Sequence, residues 1–496
     1  MSVPHVTVRM YMGLLGDCFL LRLFHDGGAD RTRKADSHIL IDCGVIQRVP
    51  SEAKLMARVV ADIMKIGTLN LVVVTHEHYD HMCGFESLLR EGIEIKMLWL
   101  AWTEDPKDDL AKDLRKMQDE TRVAIAAGMQ QMAFSAKRRP GDKGRVREWT
   151  LDGEAMGLDS FIGPFAANGS DRMTSRDILE GLKDAANETE YRRPGEVISL
   201  PFDGNIRAYV LGPPHNITRL MKDRPSSSPK NRETYLDARA NEAKVVTRSF
   251  LGASETSGDF DQVGTPFSRP FCKITDAILL ADALPEPPQD LPWSRNVREV
   301  WQKYRSTPED IRIDDDWHNP IGNLALKLDS DTNNTSLALA FELGGADGDV
   351  LLFAADAQVG NWLSWHDQKY PSGKDIPKDT GMPASDLLRR TVLYKVGHHG
   401  SHNATLSKEG LEQIKGKNLV AMVPVVQEVA EKRKWQMPFD KMFDRLKELT
   451  EGRILRGDEP LSKGLIAKIK AFGKDVRESP DDGSGLGPLW VEYDVS

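Results

Sequence analysis

Long apolar runs are missing from this 496-residue chain, and none approaches the ~20 residues that a membrane span requires. The opening stretch, MSVPHVTVRMYMGLLGDCFLLRL, has no basic leader and no small-residue cleavage site. A secretory signal is therefore not expected, and the stretch reads as two strands. Cysteine is scarce: Cys18, Cys43, Cys83 and Cys272 show neither a paired metal spacing nor a disulfide framework, so the cytoplasm is the expected compartment. Positive charge is not in surplus either. A net charge of −9 removes any global attraction to nucleic acid and leaves only a local basic patch for that purpose. No internal repeat is found. An apolar content of 40% is ordinary for a globular chain and permits a sizeable core, and the length suits one elaborated domain or two to three ordinary ones.

What is present is concentrated in one stretch, LVVVTHEHYDHMCGF, residues 71–85. Leu71 to Val74 is a β-branched run of the kind that forms a buried strand. His76, His78, Asp80 and His81 follow within six positions, where that strand should end. On a tight loop, His76 and His78 can converge on one ion, and Asp80 with His81 on a neighbouring one. Mixed imidazole and carboxylate donors suit zinc, manganese or iron better than magnesium or calcium. The competing reading is a polar surface loop with incidental histidines. Gly84 supports a cramped turn, and FESLLREG reads as a short helix after it.

The H-x-H-x-D-H pattern after an apolar strand resembles the first metal motif of the metallo-β-lactamase-fold hydrolases. That resemblance implies an α/β fold: a two-sheet αββα sandwich with a one- or two-metal site at the strand ends, here with two large insertions. It also implies further ligands. VLLFAADA (350–357) resembles the strand delivering a metal-bridging aspartate, Asp356. VLYKVGHHGSHN (392–403) resembles the last ligand motif, with His398 or His399 as ligand and His398 preferred because it is nearer the strand end. GLLGDCFLLRL and HILIDCG resemble the opening hairpin, with Asp17 and Asp42 placed to orient metal-bound histidines from behind. GDC, LIDCG, NNTSLAL and VGHHGS together are most similar to the hydrolase domain attached to bacterial DNA-uptake competence channels and its freestanding relatives. The similarity covers roughly residues 5–90, 320–360 and 390–460, and the channel's membrane helices have no counterpart. Two departures stand out. DTNNTS lacks the histidine that many members place there, so Asn333 or Asn334 is expected near the metal, with His215 and His318 as alternative ligands. Met437 stands where a histidine often precedes the C-terminal proline.

These anchors divide the chain into a first hydrolase half (1–100), a helical insertion (101–200), a core strand (201–215), a capping insertion (216–320) and a second half (321–496). Leu110, Leu114, Met117, Thr121, Ile125, Met129 and Met132 form a helical stripe, with Gly128 inside it. In KRRPGDKGR (137–145), Lys137, Arg138 and Arg139 are candidate phosphate contacts, set against a merely solvated loop. RPSSSPKNRE (224–233) has the composition of a mobile loop, and WSRNVREVWQKY that of a helix carrying Trp293 and Trp301. FDKMFDRLKEL puts Phe439, Met442, Phe443, Leu446 and Leu449 on one face, ended by Gly452.

The expected chemistry is hydrolysis by a hydroxide bridging two divalent ions, most simply zinc, with manganese or iron also compatible. Catalytic candidates are Asp80, beside the reacting centre, and His399 or His402 as proton donor. A phosphodiester substrate, in nucleic acid or a nucleotide, follows from the competence-type motifs. A lactone, thioester or lactam is the alternative. A non-hydrolytic effector or di-iron redox protein ranks last, since the redox form has glutamate in place of His78 and needs a flavin partner domain.

Overall fold

β-Branched and aromatic runs form strands in the computed structural model of this protein, and the helices between them carry the chain from one strand to the next. The structure describes residues 5–25, 35–46, 49, 51–138 (backbone only from 126), 173–223, 225–226, 233–235, 327–344, 347–371, 381–416, 418–433 and 435–495. The chain divides into two compact units, one of Met1–Arg115, Thr150–Arg239 and Asp329–Ser496, the other of Lys116–Trp149 and Ala240–Leu328.

The first unit is mixed α/β with two large sheets. One contains β1 (His5–Tyr11), β2 (Cys18–Phe24), β3 (Ser37–Cys43), β4 (Thr68–Leu69), β5 (Leu71–Val73), β6 (Glu94–Ala101) and β7 (Ala186–Arg192). The other begins with β8 (Val197–Leu200), β9 (Asp203–Val210), β10 (Leu339–Leu343) and β11 (Val350–Phe353). A small pair, β12 (Lys369–Tyr370) and β13 (Met382–Pro383), is followed by β14 (Thr391–Lys395), β15 (Val420–Val423) and β16 (Ile454–Arg456) of the second sheet. β17 (Asp475–Glu478) and β18 (Trp490–Asp494) return to the first. Strand order is β17-β18-β1-β2-β3-β5-β6-β4 with β7 also on β6, and β16-β15-β14-β11-β10-β9-β8.

Period-two alternation explains how these sheets bury both faces. Val8, Phe19, Leu21, Ile39, Ile41, Leu71 and Val73 of the first sheet join Ala208, Leu339, Phe341, Leu351, Phe353, Leu393 and Met422 of the second in one apolar cluster. The Phe19 and Phe353 rings meet edge to face, centroids 5.8 Å apart. The intervening residues, including Leu20, Leu40, Val72, Ala340, Leu352 and Tyr394, pack in a second cluster. That cluster contains Leu55, Val59 and Ile63 of the helix Glu52–Met64, and Trp362 of the helix Val359–His366.

Two parallel pairings decide where the polar cluster lies. β3 and β5 run parallel (Ile39 beside Leu71), as do β11 and β14 (Leu351 beside Leu393). Parallel neighbours end at the same edge. The residues after β3, β5, β11 and β14 are thereby brought to strand ends from four distant parts of the chain.

Several sequence expectations are refined. The helix after the metal motif begins at Tyr79, so Asp80 and His81 sit in its first turn rather than ahead of it. The stretch 101–200 is not wholly an insertion, because β7 extends the first sheet and β8 the second. The stripe from Leu110 lies on one helix, Asp109–Arg138, which runs through Gly128 without a break. The helix Asp440–Leu449 buries Met442, Phe443 and Leu446, and Gly452 follows with φ +76°. Arg139, His318, Trp293, Trp301 and most of the expected 216–320 cap lie outside the described residues, as do the side chains of Lys137 and Arg138. No helix among the described residues is long and apolar enough to cross a membrane.

Candidate metal centre

Short apolar strands end and their polar followers turn inward. Asp42 ends β3's apolar run, His76 follows β5, Asp356 follows β11, and His398 and His399 follow β14. Asp42 (φ 55°), Ala355 (φ 49°), His398 (φ 44°) and His399 (φ 52°) all hold left-handed backbone conformations. Such strain is costly for non-glycine residues and persists only where packing over-determines it. Two glycines permit close approach. A Cβ on Gly44 would stand 2.1 Å from the Asp80 carbonyl, and one on Gly16 would stand 2.6 Å from the Asp80 oxygen. The Asp17 amide donates to that same oxygen at 3.1 Å.

His76, His78, Asp80, His81, Asp356, His398 and His399 are all buried. Four of them, Asp80, His81, Asp356 and His399, each present a ligating atom, and these atoms lie within 4.8 Å of one another. His81 Nε2 is 3.2 Å from Asp356 Oδ2, and His399 Nε2 is 3.3 Å from Asp80 Oδ2. Ligand bonds of about 2.0–2.2 Å in a tetrahedral shell place two donors about 3.3–3.6 Å apart. His398 was the expected ligand from its place in the sequence, but His399 is the one that enters this group. His398 Nε2 stands 4.0 Å from Asp356 Oδ2. The left-handed turn at both residues breaks the link between nearness to the strand and reach toward the centre.

Hydrogen bonding assigns the tautomers. His81 Nδ1 donates to Asp42 Oδ2 at 2.7 Å, and a carboxylate can only accept. His399 Nδ1 donates to the Pro424 carbonyl at 2.9 Å. In each ring Nε2 then faces a carboxylate oxygen, a contact that needs either a proton on Nε2 or a cation between the two atoms. The Thr75 hydroxyl donates to Asp42 Oδ2 at 2.7 Å and so accepts from His76 Nδ1 at 3.0 Å, leaving His76 Nε2 as a donor atom 3.0 Å from His78 Nδ1. Asp80 Oδ1 is buried without a hydrogen-bond partner. Asp17, Asp42 and His81 also cluster. In that grouping His81 is hydrogen-bonded to Asp42 and Asp17 Oδ2 is paired with Lys395, while Asp17 Oδ1 is buried without a hydrogen-bond partner. The four-donor group therefore fits a metal ion, and the second grouping supports it.

The same geometry sets the ionisation of the ion-free site. Burial, with like charge from His81 and His78, holds His76 well below the ordinary histidine value. Burial pushes His78 and His398 down to about 4. For His81 burial is outweighed by Asp356, Asp42, Asp17 and Asp80, which raise it well above 6.5. For His399 burial is likewise outweighed, chiefly by the hydrogen bond to Asp80, and the ring is raised. Asp356 is driven well below the usual carboxylate range, its burial overcome by His81, His398 and Lys395. Protons thus stand where a cation would otherwise balance the carboxylates.

Sequence reasoning did not find Lys395 or Asp329. Lys395 is 1% exposed, pairs with Asp17, donates to the Ala355 carbonyl at 3.0 Å and lies 3.5 Å from Asp356 Oδ1. A lone charge inside the apolar strand LYKV was the available signal. Asp329 lies in a helical stretch, 327–334, where nothing in the spacing marked it. Asn334 does not face the centre as expected. Its Nδ2 donates to the Leu220 carbonyl at 2.6 Å and its Oδ1 accepts from the Asn361 amide, so it ties loops together. Asn333 donates to Asp329 at 3.3 Å. His215 pairs with Asp108 at 3.0 Å and lies against Trp102, away from the donor group. His402 is exposed, its ring 6.4 Å from that of Phe439. Comparison with family models yields no match to this chain, and comparison with curated proteins yields none either.

Proposed function

We propose that this protein is a metal-dependent hydrolase with the two-sheet αββα sandwich of the metallo-β-lactamase type, cutting phosphodiester bonds in nucleic acid or nucleotides. The observation that carries the reading is the pair of opposed contacts His81–Asp356 and His399–Asp80, in which two imidazole Nε2 atoms and two carboxylate oxygens converge within ligand-to-ligand distance. Support also comes from the order of the motifs, each at a strand end. Zinc suits the donors best, with manganese or iron as substitutes, and the residues provide for two ions. His76 Nε2 and His78 Nδ1 would serve one, and Asp80, His81 and His399 the other, with Asp356 between. When bound, such ions supply Lewis acidity and a low-pKa water.

The chain's own residues prepare that site. Lys395 and the His398 amide engage Asp356 Oδ1, leaving Oδ2 directed at His81. Asp42 fixes the His81 ring, and Pro424 the His399 ring. His398 stays neutral down to about pH 4 in the ion-free site, and with Nδ1 held by Ser401 its Nε2 carries no proton to give. The competence-type motifs favour a phosphodiester, and a cytoplasmic location accords with them. A nucleic-acid substrate would need local Lys and Arg, of which Lys137, Arg138 and Arg139 are the candidates.

The test is metal analysis together with a substrate panel. Purified protein supplied with zinc, manganese or iron should bind metal and cleave single-stranded DNA, RNA or a small phosphodiester. Asp356→Ala should lower metal content and abolish cleavage. Steep weakening of binding with salt would identify a polyanion, and a shallow slope a mononucleotide. Cleavage of thioesters or lactones alone would replace the phosphodiester assignment, and absence of bound metal would remove the hydrolase reading.

A further inference from the structure

Four of the five histidines use one ring nitrogen as an anchor. His76 Nδ1 is held by Thr75 Oγ1 at 3.0 Å, His81 Nδ1 by Asp42 at 2.7 Å, His398 Nδ1 by Ser401 Oγ at 3.0 Å, and His399 Nδ1 by the Pro424 carbonyl at 2.9 Å. In these four the anchor is Nδ1. His78 is turned the other way. Its Nδ1 converges on His76 Nε2 at 3.0 Å, and its Nε2 points to Asp329 Oδ1 at 3.6 Å. His78 is also the residue immediately before the helix Tyr79–Arg90, yet its side chain makes no capping hydrogen bond there. The ring orientation must come from tertiary contacts.

Asp329 is placed to supply it. Its Oδ1 is buried with no hydrogen-bond partner, and its Oδ2 is held by Asn333 Nδ2 at 3.3 Å, one helical turn away. Asn333 is itself fully buried, so the carboxylate is braced from behind. We infer that Asp329 is a positioning residue for the metal centre: its Oδ1, 3.6 Å from His78 Nε2, electrostatically favours the tautomer protonated at that nitrogen, which leaves Nδ1 free to ligate beside His76 Nε2. The site thereby obtains a carboxylate at the His76/His78 end, where the described residues place no third histidine. Carboxylates behind metal-bound imidazoles raise ligand basicity and hold ring orientation, and losing one costs about 10–100-fold in metal affinity.

This inference rests on the metal-site reading, and the experiment separates the two. Wild type, Asp329→Ala and Asp329→Asn are titrated with zinc and cobalt against a competing chelator. Cobalt absorption is recorded, and long-range ¹H–¹⁵N spectra read the tautomer of His78. Wild type is expected to take up metal with His78 protonated at Nε2. Asp329→Ala is expected to weaken one ion by about 10–100-fold, change its cobalt spectrum and mix the His78 tautomers, leaving the ion at His399 unaltered. Asp329→Asn keeps an oxygen acceptor and is expected to recover most of the affinity. Wild-type affinity, spectrum and tautomer in Asp329→Ala would overturn the role of Asp329. Equal loss in Asp329→Asn and Asp329→Ala, with the His78 tautomer intact, would also overturn it, since a direct ligand behaves that way. A wild-type protein that binds neither zinc nor cobalt would overturn the metal reading itself.

Discussion

Replacing Lys395 by methionine should expose the electrostatic logic of the centre. The ammonium is 1% exposed, in contact with Asp17 and 3.5 Å from Asp356 Oδ1. Burial alone would lower its pKa, but Asp17 and Asp356 raise it, so it is charged across the working range. Methionine matches the stem and removes the charge, leaving two buried carboxylates without their partner. Breaking a buried pair from one side costs about 3–5 kcal/mol. For a cooperative unit of about 370 residues, an unfolding entropy of about 2.1 cal/mol/K per residue gives roughly 0.8 kcal/mol/K, so the midpoint should fall by about 4–6 °C. The decisive comparison adds zinc. A divalent ion neutralises the same carboxylates and binds the more negative variant site more strongly, so saturating zinc should recover at least half of the loss. Calorimetric melting of wild type and Lys395→Met, each with chelator and with zinc, reads this directly. A loss of the same size in both conditions would refute the reasoning, and so would a loss below about 1 kcal/mol, the range of an exposed pair.

Other outcomes follow from the same geometry. His399→Ala should remove an ion with its cobalt signal, whereas His398→Ala should retain both ions with at most a modest fall in affinity; chelator competition distinguishes them, and the reverse order would restore His398 as the ligand. Metal uptake at pH 7 should release protons from His81 and His399, because their pKa values are raised in the ion-free site; apparent affinity should therefore rise with pH above 6.5, and titration heats should depend on the ionisation enthalpy of the buffer. Burial and Glu77 push Glu104 up to about 8. A folded value above the unfolded one means that the folded protein binds the extra proton, so this contribution to stability is complete below about 4.5 and is lost as pH rises through about 8. Glu104→Gln should flatten that decline in denaturant melts, leaving stability near pH 4.5 unchanged.

Local pattern determined much of this protein before any contact was known. The run Leu71 to Val74 forms a strand because β-branched side chains fit a buried pleat, and the polar residues His76 to His81 mark where that apolar run stops. Asp356 and the His398–His399 pair were legible in the same way, as were the helix at 440–449 and the stripe from Leu110. Such features depend on neighbours a few residues away. Tertiary structure alone decided what those side chains do. Asn334 looked like a site residue and instead binds the Leu220 carbonyl, 114 residues earlier. Lys395 and Asp329 owe their importance to Asp17, Asp356 and His78, none of them close in sequence. That His399 and not His398 enters the four-donor group rests on two left-handed residues and on the Pro424 carbonyl, 25 residues later. A ring nitrogen is directed by its opposite nitrogen's hydrogen bond, and that partner is supplied by the packing of strands whose order the sequence pattern does not encode.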